Sequence, residues 1–253
     1  MKSPKLFIDA DYFLYRVAAA LEREHHYSPD LTVIVGDFQK GKSLVLNEIN
    51  KLLRVYGSEK YILCFTDTTY FRKEIDPKYK GKRTKRKPCG YLRLKDWALT
   101  HLNSRLFPGL EADDVLGILA TCGKYENFVI VSPDKDLLQI PGRVYNLKKE
   151  ITVTPESSER MLWLQTLAGD PTDGYPGCPG IGLKSAKRIL RRNGNYAEKT
   201  LRTYLHAGMT QDFALQNYHC AKILQSKDWD NRKQKPLLIN PYETQSQATS
   251  TTG

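Results

Sequence analysis

The segment KLFIDAD, residues 5–11, decides how the rest of the chain is read. Its run Leu6-Phe7-Ile8 is continuously apolar, the pattern of a strand buried on both faces of a sheet. An acid, Asp9, ends the run. The same arrangement returns in YILCFTD (61–67), which ends in Asp67, and in NFVIVSPD (127–134), which ends in Asp134. A shorter candidate strand lies at 143–147. Helix-like stretches separate these runs at 12–24, 37–56 and 91–102, and another is opened by EADDVLGILA, 111–120. Apolar strands alternating with helices predict an α/β fold with a mainly parallel central sheet covered by helices. TVIVGD, ahead of the second helix, reads either as an edge strand or as a lead-in to it.

After about residue 155 the pattern turns helical, with candidates at 187–192, 198–206 and 210–225 following the turn-rich GDPTDGYPGCPGIGLKSA, 169–186. The expected organisation is an α/β core over 1–155, a helical region over 156–241 and a polar, disordered tail over 242–253. A length of 253 residues suits one sizeable core with an appendage. Mean hydropathy is −0.51 and no apolar run approaches the ~20 residues a bilayer crossing needs. MKSPKLFIDADYF has a charged residue inside its only apolar run, so it does not read as a signal peptide. Five scattered cysteines, none spaced C-x-x-C, suit a reducing, cytoplasmic compartment and give neither a disulfide framework nor a zinc knuckle. His219 and Cys220 are adjacent, and neighbours in a helix point apart, which disfavours a shared metal. The net charge of +11 favours an anionic partner, most simply nucleic acid.

The positions of the acids carry the chemistry. In an open parallel sheet the strand C-termini lie along one edge, so Asp9, Asp67 and Asp134 are expected to converge there. Glu111, Asp113 and Asp114 open a helix after a Pro-Gly turn; Asp136 follows Asp134 by two; Asp170 and Asp173 lie three apart in the later turn. Singly, such acids cap helices and decorate turns. Gathered at one edge they repel unless cations neutralise them, and oxygen-seeking Mg2+ or Mn2+ is the natural choice. Two ions ~4 Å apart can activate a water and stabilise a leaving phosphodiester oxygen.

Between Arg72 and Lys87 the chain holds nine Lys or Arg and two acids. Following a candidate ligand inside the fold, this run reads as an electrostatic funnel for a polyanion. Arg72, Lys80 and Arg83 are expected nearest the reacting phosphate, with Lys82, Lys85, Arg86 and Lys87 along the backbone. Tyr70, Phe71, Tyr79 and Tyr91 interleave the run and can stack on unpaired bases. KGKRTKRK also fits a nuclear-localisation pattern. Gly177, Gly180 and Gly182 precede a helix carrying Lys184, Lys187 and Arg188, an arrangement that lets a phosphate approach backbone amides. GDFQKGKS, 36–43, matches the phosphate-loop pattern G-x-x-x-x-G-K-[ST]. The acids such a loop needs belong to the larger constellation, and Asp37 suits the N-cap of a helix continued by Leu44, Ile49 and Leu52, so the match reads as accidental.

FIDAD, CFTD with YFRKEIDPKYKGKR, LEADDVLG, SPDKDL and GDPTDGYPGCPGIGLKSA, in that order, resemble the phage 5′→3′ exonuclease and flap endonuclease family, related to the N-terminal nuclease domain of bacterial DNA polymerase I. The likeness extends to the short-tailed phage exonucleases that degrade duplex DNA from 5′ ends. It implies a PIN-like 5′ nuclease core in which Asp9, Asp67, Glu111 and Asp113, with Asp114 nearby, serve one divalent ion. Asp134, Asp136, Asp170 and Asp173 would serve a second. It further implies a helical arch over 70–90 with Lys80 and Arg83 on the reacting phosphate, and a helix–three-turn–helix over 169–192 gripping duplex DNA around a K+ ion. Flap cleavage and RNase H-type cleavage accompany exonuclease activity in that family, and a monomer without membrane attachment is expected. Two departures stand out: Gly174 where many members carry Asn, and Ser185 where many carry a second basic residue. A PIN-like ribonuclease and a phosphate-loop ATP-binding DNA protein are the competing readings.

Overall fold

Apolar strands do run side by side at the centre of the chain, for which a computed structural model describes residues 3–82, 85–191 and 194–243. β1 (Lys5–Asp9) leads into α1 (Ala10–Leu21), then β2 (Glu22–Ser28), β3 (Leu31–Gly36) and α2 (Phe38–Tyr56). β4 (Tyr61–Phe65), the single turn α3 (Arg72–Ile75), α4 (Tyr91–His101), β5 (Ser104–Leu106) and α5 (Ala112–Thr121) follow. β6 (Phe128–Val131), β7 (Gly142–Tyr145) and β8 (Glu150–Val153) complete the six-stranded sheet, whose order is β5-β4-β1-β6-β7-β8. All pairings are parallel except β7 with β8.

Both faces are buried, which explains the unbroken apolar runs. Leu6, Ile8, Leu63, Phe65, Val129 and Val131 pack under α1, α2 and α4. Phe7, Ile62, Cys64, Ile130 and Val144 pack beneath α5 on the other face. The helical region, α6 (Pro155–Ala168), α7 (Leu183–Ile189), α8 (Tyr196–His206) and α9 (Gln211–Ala221), has its own core around Trp163, Leu167, Tyr204 and Tyr218. Past α9 the chain returns to the α/β core. Ile223, Leu224 and Trp229 join the apolar cluster beneath α5, and the short pair β9 (Trp229–Asp230) and β10 (Lys235–Pro236) closes the described chain.

Three local expectations change. TVIVGD does not border the sheet: β3 pairs antiparallel with β2 in a separate, exposed hairpin. The expected helix over 12–24 therefore stops at Leu21. EREHHYS has no apolar alternation to mark it as a strand; Pro29-Asp30 turns it onto β3. The expected tail begins at 242, where Tyr242 packs on Trp163 and Tyr218; residues 244–253 lie outside those described.

GDFQKGKS is helical from Phe38. Asp37 caps α2 by accepting from the Lys40 amide at 2.9 Å, and Lys42 lies over the rings of Phe38 and Trp97. A phosphate loop is therefore absent there. The return segment packs tightly: a Cβ on Gly117 of α5 would stand 2.2 Å from the Leu224 carbonyl oxygen. Alanine favours helix by about 1 kcal/mol over glycine, yet here the clash dominates. Gly117→Ala is expected to lower stability by about 1–3 kcal/mol, read as a lower urea midpoint at unchanged slope; a rise in the midpoint would contradict the packing.

Candidate active site

Acids do gather at the C-terminal edge of the sheet. Asp9 ends β1, caps α1 through the Tyr12 amide and accepts from the buried Ser132 hydroxyl at 2.7 Å. Asp134 follows β6 and accepts from the Asp136 amide at 2.9 Å, opening a 3-10 turn. Asp113 sits in the first turn of α5. Burial pushes the Asp113 carboxyl well above the usual range, and the charges of Asp9 and Asp134 push further. Burial raises Asp9 to about 6, with Ser132 opposing and Asp11 and Asp134 adding. Asp136 rises to about 7, through burial and then through Asp134. These carboxylates are held close enough to destabilise one another's charge.

A cleft of about 20 Å³, room for a water-sized occupant, is lined by Arg72, Tyr79, Glu111, Asp113, Asp136 and Asp173. Lys80 reaches in from the basic segment, its ammonium 2.5 Å from Glu111 and 3.5 Å from Asp173. Burial works to raise the Glu111 carboxyl, but Lys80 and then Arg72 outweigh it and hold it below the usual range. Lys80 itself sits in the left-handed backbone region at φ 54, its amide donating to the Asp173 carbonyl at 2.7 Å. Gly174 has a local reason: at φ +83, with the Lys78 carbonyl oxygen 3.0 Å from where a Cβ would sit, it lets the basic segment rest on the acidic turn. Asp170 accepts the Thr172 and Asp173 amides and lies 3.5 Å from the Lys135 ammonium. Its carboxyl is lowered: burial opposes, and the Thr172 amide and Lys135 prevail. Among the described residues no three His, Cys, Asp or Glu side chains form a finished coordination shell. The acids are an all-oxygen donor set, bridged at one side by Lys80.

Other expected site residues play different parts. Arg72 does not wait at the surface for a phosphate. It is 3% exposed, pairs with Asp114 through both terminal nitrogens and with Glu111 through one, and donates to the Cys220 and Lys222 carbonyls. Asp114 is the other half of this buried tie; its two oxygens also accept the Leu224 and Glu111 amides. Asp67 turns toward the main chain, accepting from Thr68 and Gly109. Among the described residues of the basic segment, where a helical arch over 70–90 is expected, only α3 is helical. Pro77, Gly81 and Pro88 break helix, and the lysines offer no apolar stripe. Arg83 lies outside the described residues.

Tyr79, Tyr91 and Phe71 are 2%, 3% and 6% exposed, so they form core instead of open stacking platforms. Tyr79 donates its hydroxyl proton toward Glu111 and Asp173 and lies over Tyr175. Lys82 and Lys85 are exposed, Lys87 covers the Tyr91 ring, and Arg86 pairs with Glu22 of the hairpin. Gly177, φ +71, lies against Gly169, while Gly180 and Gly182 have open space around them. They lead into α7, where Lys184, Lys187 and Arg188 are exposed; the expected helix over 187–192 starts earlier, and residue 192 is outside those described. Composition and spacing gave no signal for the polar side chains that hold the acids, Ser132 and Gln165. Each becomes visible only once the strands and α6 are in place.

The site is thus a set of carboxylates, from buried Asp9 to exposed Asp134, at the C-terminal edge of a parallel sheet beside a basic segment. Residues 4–161 match the profile of the family described as "5′-3′ exonuclease, N-terminal resolvase-like domain", and the chain belongs to that family. An exonuclease of Escherichia phage T7 is 30% identical over 190 residues, 70% of this chain and 63% of the relative. The matched stretch thus spans less than two thirds of the phage protein. A flap endonuclease, Xni, of Shewanella baltica is 30% identical over 206 residues, 74% of this chain and 73% of the relative. In fold, the chain is similar to the bacteriophage T5 flap endonuclease solved as a pseudo-enzyme–product complex with DNA and metal ions. That match has a TM-score of 0.62 and 17% identity, covering 87% of this chain and 89% of the other. No helix among the described residues is long and apolar enough to cross a membrane.

Proposed function

We propose that the chain is a divalent-metal-dependent 5′→3′ nuclease acting on duplex or flapped DNA with a free 5′ end and leaving 5′-phosphorylated products, with RNase H-type cleavage alongside. The observation that carries this reading is the mutual crowding of Asp9, Asp113, Asp134 and Asp136, whose charges need a cation partner. Family membership and the metal- and DNA-bound T5 structure support it.

Hard carboxylate oxygens suit Mg2+, with Mn2+ as a substitute. Asp9, Glu111 and Asp113, with Asp67 adjoining, would hold one ion; Asp134, Asp136, Asp170 and Asp173 would hold the other. Two such ions supply the charge that activates a water and stabilises the leaving oxygen. The chain's own residues do the rest. Ser132 fixes the Asp9 carboxylate, and the Arg72–Asp114 pair fixes the start of α5 beneath Glu111 and Asp113. Lys80 brings an ammonium to the mouth of the site, where a phosphate can join Glu111 and Asp173 as its partner. Arg83 retains its expected phosphate role. Lys82, Lys85 and Lys87 draw the polyanion in, an effect that weakens with salt. Gly180 and Gly182 with Lys184, Lys187 and Arg188 would grip the duplex backbone, with K+ at the turn. The protein acts as a monomer in the cytoplasm.

A gel comparing 5′-flap, nicked, blunt and single-stranded DNA with matched RNA and hybrid, each labelled at either end, tests this reading. Short 5′-phosphorylated products from duplex or flap substrates are expected. Preference for RNA, or release from 3′ ends, would overturn it. Lys42→Ala, which removes an ammonium lying over the Phe38 and Trp97 rings, is expected to leave cleavage unchanged.

A further inference from the structure

Asp136 is held by a chain of buried amides. The Gln165 side chain, on α6, donates from Nε2 to Asp136 Oδ1 at 2.6 Å. Gln139, at the end of the 3-10 turn that Asp136 opens, donates in turn to Gln165 Oε1. Both glutamines are buried, at 3% and 6% exposure.

The main chain fixes the direction of these bonds. The Ile223 amide can only donate, and it meets Gln139 Oε1 at 3.0 Å. The Ala221 carbonyl can only accept, and it meets Gln139 Nε2 at 2.8 Å. The Gln139 amide therefore has one orientation, with its remaining N–H aimed at Gln165. Gln165 must answer with its oxygen, which leaves its NH2 group facing Asp136. The end of α9 and the segment after it receive Arg72 at Cys220 and Lys222 and give the Leu224 amide to Asp114. One short stretch of chain, from the last turn of α9 to Leu224, thus braces acids on both sides of the cleft.

We propose that Gln165 and Gln139 are positioning residues for the Asp136 carboxylate, presenting its second oxygen to the divalent ion on that side of the cleft. This rests on the metal-dependent reading above. Burial without a donor would leave Asp136 to rotate away from its like-charged neighbours. A donor delivered through two ordered amides keeps the carboxylate in place. Partners of this kind characteristically change metal affinity by about 10–100-fold when removed.

The test is Mn2+ binding to DNA-free protein, measured by electron paramagnetic resonance for the wild type, Gln165→Met and Gln139→Met. Methionine keeps the volume and removes the amide; circular dichroism and melting establish that each variant folds. Both variants are expected to weaken one Mn2+ by about tenfold or more while a second ion is retained. The Gln139 variant is decisive because its side chain bonds to Gln165, Ala221 and Ile223 and reaches Asp136 only through Gln165. A folded variant with wild-type Mn2+ affinity would overturn the positioning role and leave the nuclease reading intact. Wild-type protein that binds no Mn2+ would overturn the reading itself. If Gln139→Met fails to fold, Gln165→Met decides alone, since its α6 face is the direct donor.

Discussion

Asp134→Asn is expected to abolish DNA cleavage, by about 10³-fold or more, while leaving the protein folded and able to bind DNA in Ca2+. Asp134 faces Asp9, Asp113 and Asp136 and raises the cost of charge on each. Asparagine keeps its size and its ability to accept the Asp136 amide, so the 3-10 turn survives. What is lost is one negative charge from the set that would hold the cations. Single-turnover cleavage of an end-labelled duplex, beside a binding isotherm in Ca2+, reads both halves. Cleavage within a few-fold of wild type would remove Asp134 from the site. The variant should also resist heating at least as well as wild type without metal, because one repulsive charge has gone.

The second large effect falls on stability. Arg72→Met is expected to cost about 3–5 kcal/mol, enough to unfold much of a marginally stable protein. The guanidinium is buried with Asp114 and Glu111 and also satisfies the carbonyls of Cys220, in the last turn of α9, and Lys222, just past it. Removing it leaves the Asp114 carboxylate without a counter-charge and two carbonyl oxygens without their donor, out of water, while Glu111 keeps Lys80. Pairing the change with Asp114→Asn should recover part of the loss, since one orphaned charge disappears. Urea melts of the wild type, the single variant and the double variant give that coupling. An Arg72→Met protein as stable as wild type would mean that the tie is not formed.

The central architecture was legible because burial on both sides of a parallel sheet writes itself as unbroken apolar runs. Leu6-Phe7-Ile8 and Val129-Ile130-Val131 need no partner information to be recognised as strands. Placing acids at the ends of those runs was equally legible, since strand direction alone brings Asp9 and Asp134 to one edge. The hairpin of β2 and β3 was not. It leans on neither main face: the apolar run of β3 offered a strand without its partner, β2 carried no strand pattern, and the contacts of the hairpin with Arg86 (through Glu22) and Cys89 (through Glu22 and Ile34) are set by tertiary structure. Arg72 was misplaced for a related reason. A cation in a basic run looks solvated, and only the approach of α5 and the segment after α9 shows that two acids enclose it. The aromatic residues of that run followed the same rule: Tyr79 and Tyr91 are large enough to be worth burying, and their hydroxyls find Glu111, Asp173 and Asp11. Gln139 and Gln165 carry no charge or motif at all; their significance is geometric.

The coordinates also separate two kinds of acid that look alike in sequence. Asp114 has both oxygens committed to protein donors, whereas Asp113, one residue earlier, faces other acids. Adjacent positions on a helix point about 100° apart, so one side chain turns inward to Arg72 while its neighbour turns to the cleft. Replacing the first should lower stability and replacing the second should lower activity.

The most direct measurement is hydrolysis of a 5′-labelled duplex by the purified chain in excess EDTA, followed by addition of Mg2+ or Mn2+. No product before the ion is added, and short 5′-phosphorylated products after it, is the predicted outcome. Product accumulating at an undiminished rate in the chelator would contradict a cation-dependent carboxylate site.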